Sequence, residues 1–366
     1  MNMGIIAASR LREPIGKVNL IGSDLGTVSS KYINTVVADN GKAYGIPAKA
    51  SQVLEINTSN NTTTFIGQNL GNGSVKFSNG VKANNGKIYA APRNASQVLE
   101  IDPVSGGVAL FGTITGVYIS LVLADNGKLY SISIDSSTFI EIDPINQTFN
   151  EYPTGVIVHP SFNSVKLQNG KIYSISSQKN SKILELNTVN KECLLFGNTG
   201  SSNNEYFNLI VSQNGKAYGI PFNASQVLEI DPINQTTTLI GSDLGTGSAK
   251  FFSGVELDNG KIYFFPRDAS QVLEINTSNN TTTFIGQDLG SSSNKYADVV
   301  KNNGKAYGIP ANASQVLEID SSNQTTTLIG QDLGNGLQKY FKGAKANNGK
   351  IYAAPFNSLQ VLEINP

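Results

Sequence analysis

The tripeptide Asn-Gly-Lys begins at Asn40, Asn85, Asn126, Asn169, Asn214, Asn259, Asn303 and Asn348, at spacings of 45, 41, 43, 45, 45, 44 and 45 residues. No other feature constrains the fold as strongly, because a period of this length marks solenoids, propellers and other repeat arrays. The copies are close. SQVLEINTSNNTTTFIGQ occupies Ser51 to Gln68 and returns unchanged from Ser270 to Gln287, so the array reads as one unit duplicated recently.

One unit, read from Lys76, runs KFSNGVKANNGKIYAAPRNASQVLEIDPVSGGVALFG. It divides into four short runs separated by turn residues. The first leads into an Asn-Gly turn, the strongest short-range hairpin signal. GKIYAAP closes at Pro92, QVLEID stops before Pro103, and GVALFG follows small and polar residues. Four strands in each 41 to 45 residues, with no helical periodicity, predict a propeller blade rather than a solenoid coil. The final unit stops at VLEINP after its third strand, whereas KVNLIG, Lys17 to Gly22, is a fourth strand without a unit. Pairing the two closes a ring and leaves no blade with an edge unpaired by truncation. The expected fold is all-β: one eight-bladed propeller over residues 17–366, four antiparallel strands per blade, preceded by an arm of residues 1–16.

The unit resembles the kelch family of propellers: a strand, an Asn-Gly-Lys turn, a Tyr-containing strand, then a strand ending in Asp-Pro or Asn, as in NGKIYAAPRNASQVLEIDP from Asn85. Ile46-Pro47 or Ala91-Pro92 stand where the kelch repeat has its double glycine, and the chain has no Trp. The resemblance implies the propeller architecture. It leaves function open, since propellers of this kind serve as scaffolds, adhesins and some enzymes.

Every unit keeps a Lys at the start of the second strand, a Tyr two residues on and a Glu in the third, from Lys42, Tyr44 and Glu55 to Lys350, Tyr352 and Glu363. A group present in all units serves all units. Cross-strand pairing of Lys with Glu and a half-buried Tyr between blades are expected to hold each blade together.

The candidates for chemistry are few. His159 and Cys193 are each single, too few for a zinc site and with no partner to make a nucleophile pair. Cys193, in the fourth-strand run ECLLFG, is expected to pack as a small hydrophobe and His159 to sit in a loop. No catalytic residue, metal or cofactor is assigned, and the protein is expected not to be an enzyme. With 27 basic and 27 acidic residues evenly spread, nothing would track a phosphate backbone, and nucleic acid is not an expected partner.

Alternating strand direction sorts the connectors onto two faces. The tight Asn-Gly-Lys and Asp-Pro-x-Asn-Gln turns share one. The longer loops, between second and third strands and between blades, share the other, where binding residues are usually carried. On that face Lys31, Lys76, Lys250, Lys295 and Lys339 each precede a Tyr or Phe, and Asp24, Asp243, Asp288 and Asp332 lie seven residues before a Lys. Asn94, Asn223 and Asn312 add amides, with Arg93 and Arg267 beside such loops. These residues are the candidate site for a protein partner or a surface glycan. The alternative is that Asp and Lys only pair within each loop and hold it. Units three and four, about residues 113–197, depart from the pattern, through partner contact or through age.

The opening MNMGIIAASRLREPIG has no basic region before its short apolar stretch and makes a poor signal peptide. No window reaches the ~18 apolar residues of a membrane helix. The expected location is cytoplasm or virion without membrane insertion, with residues 1–15 as an attachment arm. The expected function is a binding or display module, a structural or adhesion component of a particle or virion. An intracellular kelch-like interaction scaffold and a multivalent lectin are the alternatives.

Overall fold

A computed structural model describes residues 17–156, 160–176 and 182–366. The arm of residues 1–16 and His159 lie outside the described residues. Thirty-two strands form eight four-stranded antiparallel sheets, each a blade. Blades one to seven run from Tyr32 to Ile66, Phe77 to Phe111, Val122 to Pro153, Pro160 to Phe196, Tyr206 to Ile240, Phe251 to Ile285 and Tyr296 to Ile329. Blade eight joins Ala344–Lys345, Ile351–Ala353 and Val361–Asn365 to Lys17–Ile21. The ring closes as the sequence predicts: Val18 pairs with Ile364 and Ile21 with Val361. Asn19 donates to Glu363 Oε1 at 2.9 Å, and Gln360 Nε2 to the Gly22 carbonyl at 2.8 Å.

Seven of the Asn-Gly-Lys turns share one hairpin geometry. In blade one the Gly41 N–H donates to the Ala38 carbonyl at 3.1 Å and the Ala38 N–H to the Lys42 carbonyl at 3.0 Å, with Gly41 at φ 80°. This is a turn whose last residue must be left-handed, which is why Gly follows Asn. Blade seven shortens it: Asn302 pairs with Lys305, and Asn303 and Gly304 take φ 50° and 75°, both left-handed.

The first strands of successive blades neighbour one another around the ring and line its central channel. The hydrophobic core lies between blades. Tyr44, Ile46 and Val53 of blade one, for example, pack with Phe77, Ile88 and Leu99 of blade two. The second strands are almost wholly buried, the fourth strands more exposed, and in blades one, five, six and seven the exposed strand is rich in Thr. Small turn-rich units thus bury an apolar face only by meeting a neighbour.

The repeated Lys, Tyr and Glu form one network per blade. Tyr44 stands opposite Glu55 and Tyr89 opposite Glu100, and so on to Tyr352 opposite Glu363. In blade two Lys87 Nζ lies 2.7 Å from Glu100 Oε1, Tyr89 donates to Oε2 at 2.8 Å, and Asn85 Nδ2 donates to the Tyr89 hydroxyl at 2.9 Å. Asn85 also reaches the Pro144 carbonyl of the next blade at 3.0 Å. The tyrosines are more deeply placed than expected, fully rather than half buried. Each hydroxyl finds a partner in the core, as a buried phenol requires.

Candidate functional site

The five lysines expected to bind a partner are inside the loops, none more than 8% exposed. Their side chains reach backbone carbonyls. Lys31 donates to Gly26 and Val28 at 2.9 Å, Lys76 to Gly71 at 2.8 Å, and Lys250 to Asn223 at 3.0 Å and Ala224 at 2.9 Å. Lys295 and Lys339 repeat the arrangement, to Asp268 at 3.3 Å and to Gly336 at 3.0 Å. Burial pushes all five ammonium groups below the usual lysine range.

The loop aspartates act separately. Asp24, Asp243, Asp288 and Asp332 accept the N–H of the glycine two residues on, at 2.7 to 2.8 Å. The loops are therefore held by Lys-to-carbonyl and Asp-to-amide bonds; among the described residues no ion pair joins these Asp and Lys groups. The asparagines stitch loop to loop. Asn94 donates to Val75 at 2.7 Å, Asn223 accepts from the Ala249 N–H at 3.0 Å, and Asn312 donates to Ser293 at 2.9 Å.

Arg93 and Arg267 are placed differently. Both line a cavity of about 420 Å³ at the loop-face mouth of the channel. Each follows the Pro that ends a second strand. Phe222 and Phe356 hold the equivalent position in blades five and eight. Phe207 and Phe252 come from the first strands of blades five and six, and Phe341 from the segment just before the first strand of blade eight. All five rings are half buried; Phe207, Phe252, Phe341 and Phe356 line the cavity, and Phe222 packs against Phe207 and Phe252 beside it. They form a chain of contacts: Phe207 to Phe222 at 4.3 Å between centroids, Phe222 to Phe252 at 6.5 Å, Phe252 to Phe341 at 6.2 Å and Phe341 to Phe356 at 5.7 Å. Ala297, in the first strand of blade seven, leaves the space across which Phe252 and Phe341 meet.

The Arg267 guanidinium lies 4.9 Å from the Phe222 centroid and 5.7 Å from that of Phe252, and its Nε donates to Asn294 Oδ1. Burial pushes it below the usual arginine range, but a guanidinium starts so high that it stays charged. Deeper in, Asp298 accepts from Ser253 at 3.0 Å and from the Gly343 N–H at 3.2 Å. Lys342 donates to Asn79 Oδ1 at 3.3 Å. Burial moves Asp298 above and Lys342 below its ordinary value, each opposed by the other's charge.

Such a mouth can stack a flat or ring-shaped group on aromatic faces and hold an anion on its cations. Among the described residues no three His, Cys, Asp or Glu side chains converge as metal ligands, and no helix is long and apolar enough to cross a membrane. Cys193 lies in the fourth strand Cys193–Phe196, packed against Leu186 and its neighbours, and burial pushes its thiol up to about 11. Among the described residues the aromatic wall comes from blades five, six and eight.

The phenylalanines escaped the sequence reading. Their signal is departure from the repeat: YF, FF and YF at 206–207, 251–252 and 340–341, and Pro-Phe at 221–222 and 355–356, where most other units carry Ile, Ser, Ala or Arg, although unit four has Phe162 at the first of these positions.

No protein-family model and no curated protein sequence matches the chain. Solved structures match it in fold. A catalytically inactive variant of virginiamycin B lyase from Staphylococcus aureus, solved with quinupristin, is similar at TM-score 0.62 and 13% identity, covering 96% of this chain and 99% of that one. Kuenenia stuttgartiensis hydrazine synthase is similar at TM-score 0.58 and 13% identity, covering 80% of this chain and 96% of that one. The extracellular domain of a hybrid two-component system of B. thetaiotaomicron is similar at TM-score 0.52 and 11% identity, covering 90% of this chain and 50% of that one. These identities show the fold alone. They nevertheless overturn the expectation that the protein is not an enzyme, since the same architecture carries a lyase and a synthase. The lone His159 and Cys193 bear on nucleophile pairs and metal sites, not on what a propeller's channel mouth can do. The chain is an eight-bladed β-propeller.

Proposed function

We propose that the protein is a recognition module of a particle or virion that takes a surface glycan into the loop-face mouth of its channel. One observation carries this reading: four phenylalanines and two arginines line a cavity of about 420 Å³ on the propeller axis. That volume lies in the range of small-ligand sites, about 300–1,000 Å³. Sugar rings present apolar C–H faces, which stack on the electron-rich faces of Phe rings, while hydroxyls take up donors such as Arg and Asn. The site lies on the axis, so each disc offers one mouth rather than eight equivalent sites. Avidity for a repetitive surface then comes from several discs displayed together, which suits a particle. The kelch-like resemblance of the repeat fits a binding disc of this kind.

The test is a glycan-array screen of the purified chain beside Phe252→Ala and, as an opposite-face control, Lys82→Ala. Saturable binding that Phe252→Ala loses and Lys82→Ala keeps is the expected result. A folded disc that retains no glycan would overturn the reading and turn the search to protein partners.

A further inference from the structure

The charge around the mouth narrows the ligand, and this step rests on the glycan reading above. The chain as a whole balances 27 basic against 27 acidic residues. The cavity does not: Arg93, Arg267 and Lys342 face it against the single carboxylate of Asp298. Elsewhere most of the described basic groups are spent. The second-strand lysines pair with glutamates, as Lys87 does with Glu100 at 2.7 Å, and the loop lysines are bound to carbonyls.

The two arginines of the mouth are not spent. Arg93 has no side-chain hydrogen-bond or ion-pair partner among the described residues. Arg267 commits its Nε to Asn294 and its plane to Phe222 and Phe252, and no described residue takes its terminal amino groups. Stacking holds that guanidinium as a fixed plate, so little rotamer freedom remains to be lost on binding. A fixed pair of parallel N–H donors matches the two oxygens of a carboxylate. Blade two, which carries Arg93, stands four blades from blade six, which carries Arg267, so the two cations flank the axis from opposite sides.

We infer that the mouth selects an acidic sugar, its ring on the phenylalanines and its anionic group on the terminal amino groups of Arg267, with Arg93 supplying attraction from across the channel.

Uronic-acid oligosaccharides, the same oligosaccharides after reduction of their carboxyls to neutral alcohols, and sulfated neutral oligosaccharides are the probes. Titration calorimetry on the full chain is the readout. The acidic probes should bind at least about tenfold more tightly than the neutral one, with the preference shrinking as salt rises. Arg267→Met, which keeps the stem against the rings, should abolish the preference while leaving neutral binding in place. Arg267→Lys should restore it only in part, and Arg93→Met should weaken it. Phe252→Ala should reduce acidic and neutral binding alike. Equal affinity for acidic and neutral probes, or an acidic preference that survives Arg267→Met and Arg93→Met, would overturn the inference while the glycan reading stood. No binding of any probe by a folded disc would overturn both.

Discussion

Tyr89 and Glu100 face each other across two strands of blade two, the phenol donating to Oε2 at 2.8 Å while Lys87 holds Oε1 at 2.7 Å. The carboxylate is almost fully enclosed, and Gln147 of the next blade donates to it as well, at 3.1 Å. Removing one member of such a set strands the others. Glu100→Ala should cost about 2–3 kcal/mol, less than the loss of a fully buried ion-pair partner, because Lys87 keeps 30% of its side chain in water. Glu100→Gln, which keeps an acceptor for Tyr89, should cost less. Urea unfolding reads the loss, and hydrogen exchange should place it in blades two and three.

The loop lysines make a second case. Lys250 satisfies its buried ammonium with the carbonyls of Asn223, Ala224 and Gly247. Lys250→Met fills the volume but leaves three carbonyls short of a donor, and should destabilise by about 2–4 kcal/mol. An exposed ligand-binding lysine would show almost no effect on stability, so the melting temperature of this variant separates the two roles.

Acid should unfold the disc through specific carboxylates. Burial alone would raise Glu141 and Glu363, but bonds from Lys128, Lys191 and Tyr130 to the first, and from Asn19, Lys350 and Tyr352 to the second, hold both below the usual range. Asp102, Asp143, Asp231 and Asp320 are held low mainly by bonds to the Val104, Asn146, Asn234 and Ser322 groups of their own turns. A depressed folded value stabilises above the unfolded value, about 4, and that contribution is lost as pH falls through the folded value. These groups should therefore add no pH dependence between about 7 and 5 and a steep loss below about 4, with Asn in place of Asp143 flattening part of the acid limb in a thermal titration.

What the repeat could announce, it did. Asn-Gly-Lys, Tyr and Glu recur because every blade needs the same turn and the same buried network, so counting them returned the blade number, the strand order and the closing pair. The mouth was illegible for the same reason. Its residues, Arg93, Phe252, Arg267, Phe341 and Phe356, sit where the units differ, and a search for invariants passes over them. The loop lysines misled in another way: Lys31 looks exposed beside Asp24 because the carbonyls that capture it belong to the backbone and leave no trace in side-chain identity.

Ring closure can be tested on its own. Lys17–Ile21 is the outer strand of blade eight, and deleting residues 1–21 would uncover the edge of Val361–Asn365. An unpaired edge recruits strands from other molecules. The truncated protein should associate at concentrations where the full chain runs as a smaller species in light scattering, and should lose protection from exchange in blade eight first. A truncated disc of unchanged mass and melting temperature would mean that the strand adds little to closure.

Asp298 and Lys342 give the sharpest dependence on pH. Burial in the channel pushes the Asp298 carboxyl up, and the Lys342 charge is the main influence pulling it back. Lys342→Met removes that pull, so Asp298 should titrate still higher in the folded protein. A raised folded value stabilises below the unfolded value, about 4, and the contribution is lost as pH rises through the folded one. The variant should therefore match the parent chain most closely near pH 4 and fall progressively behind it toward pH 7. Asp298→Asn added to Lys342→Met should remove that slope, because no ionisable group is then left at the pair. Melting curves of the three proteins across this range decide the matter: a deficit independent of pH would mean that Lys342 matters for its packing rather than for its charge.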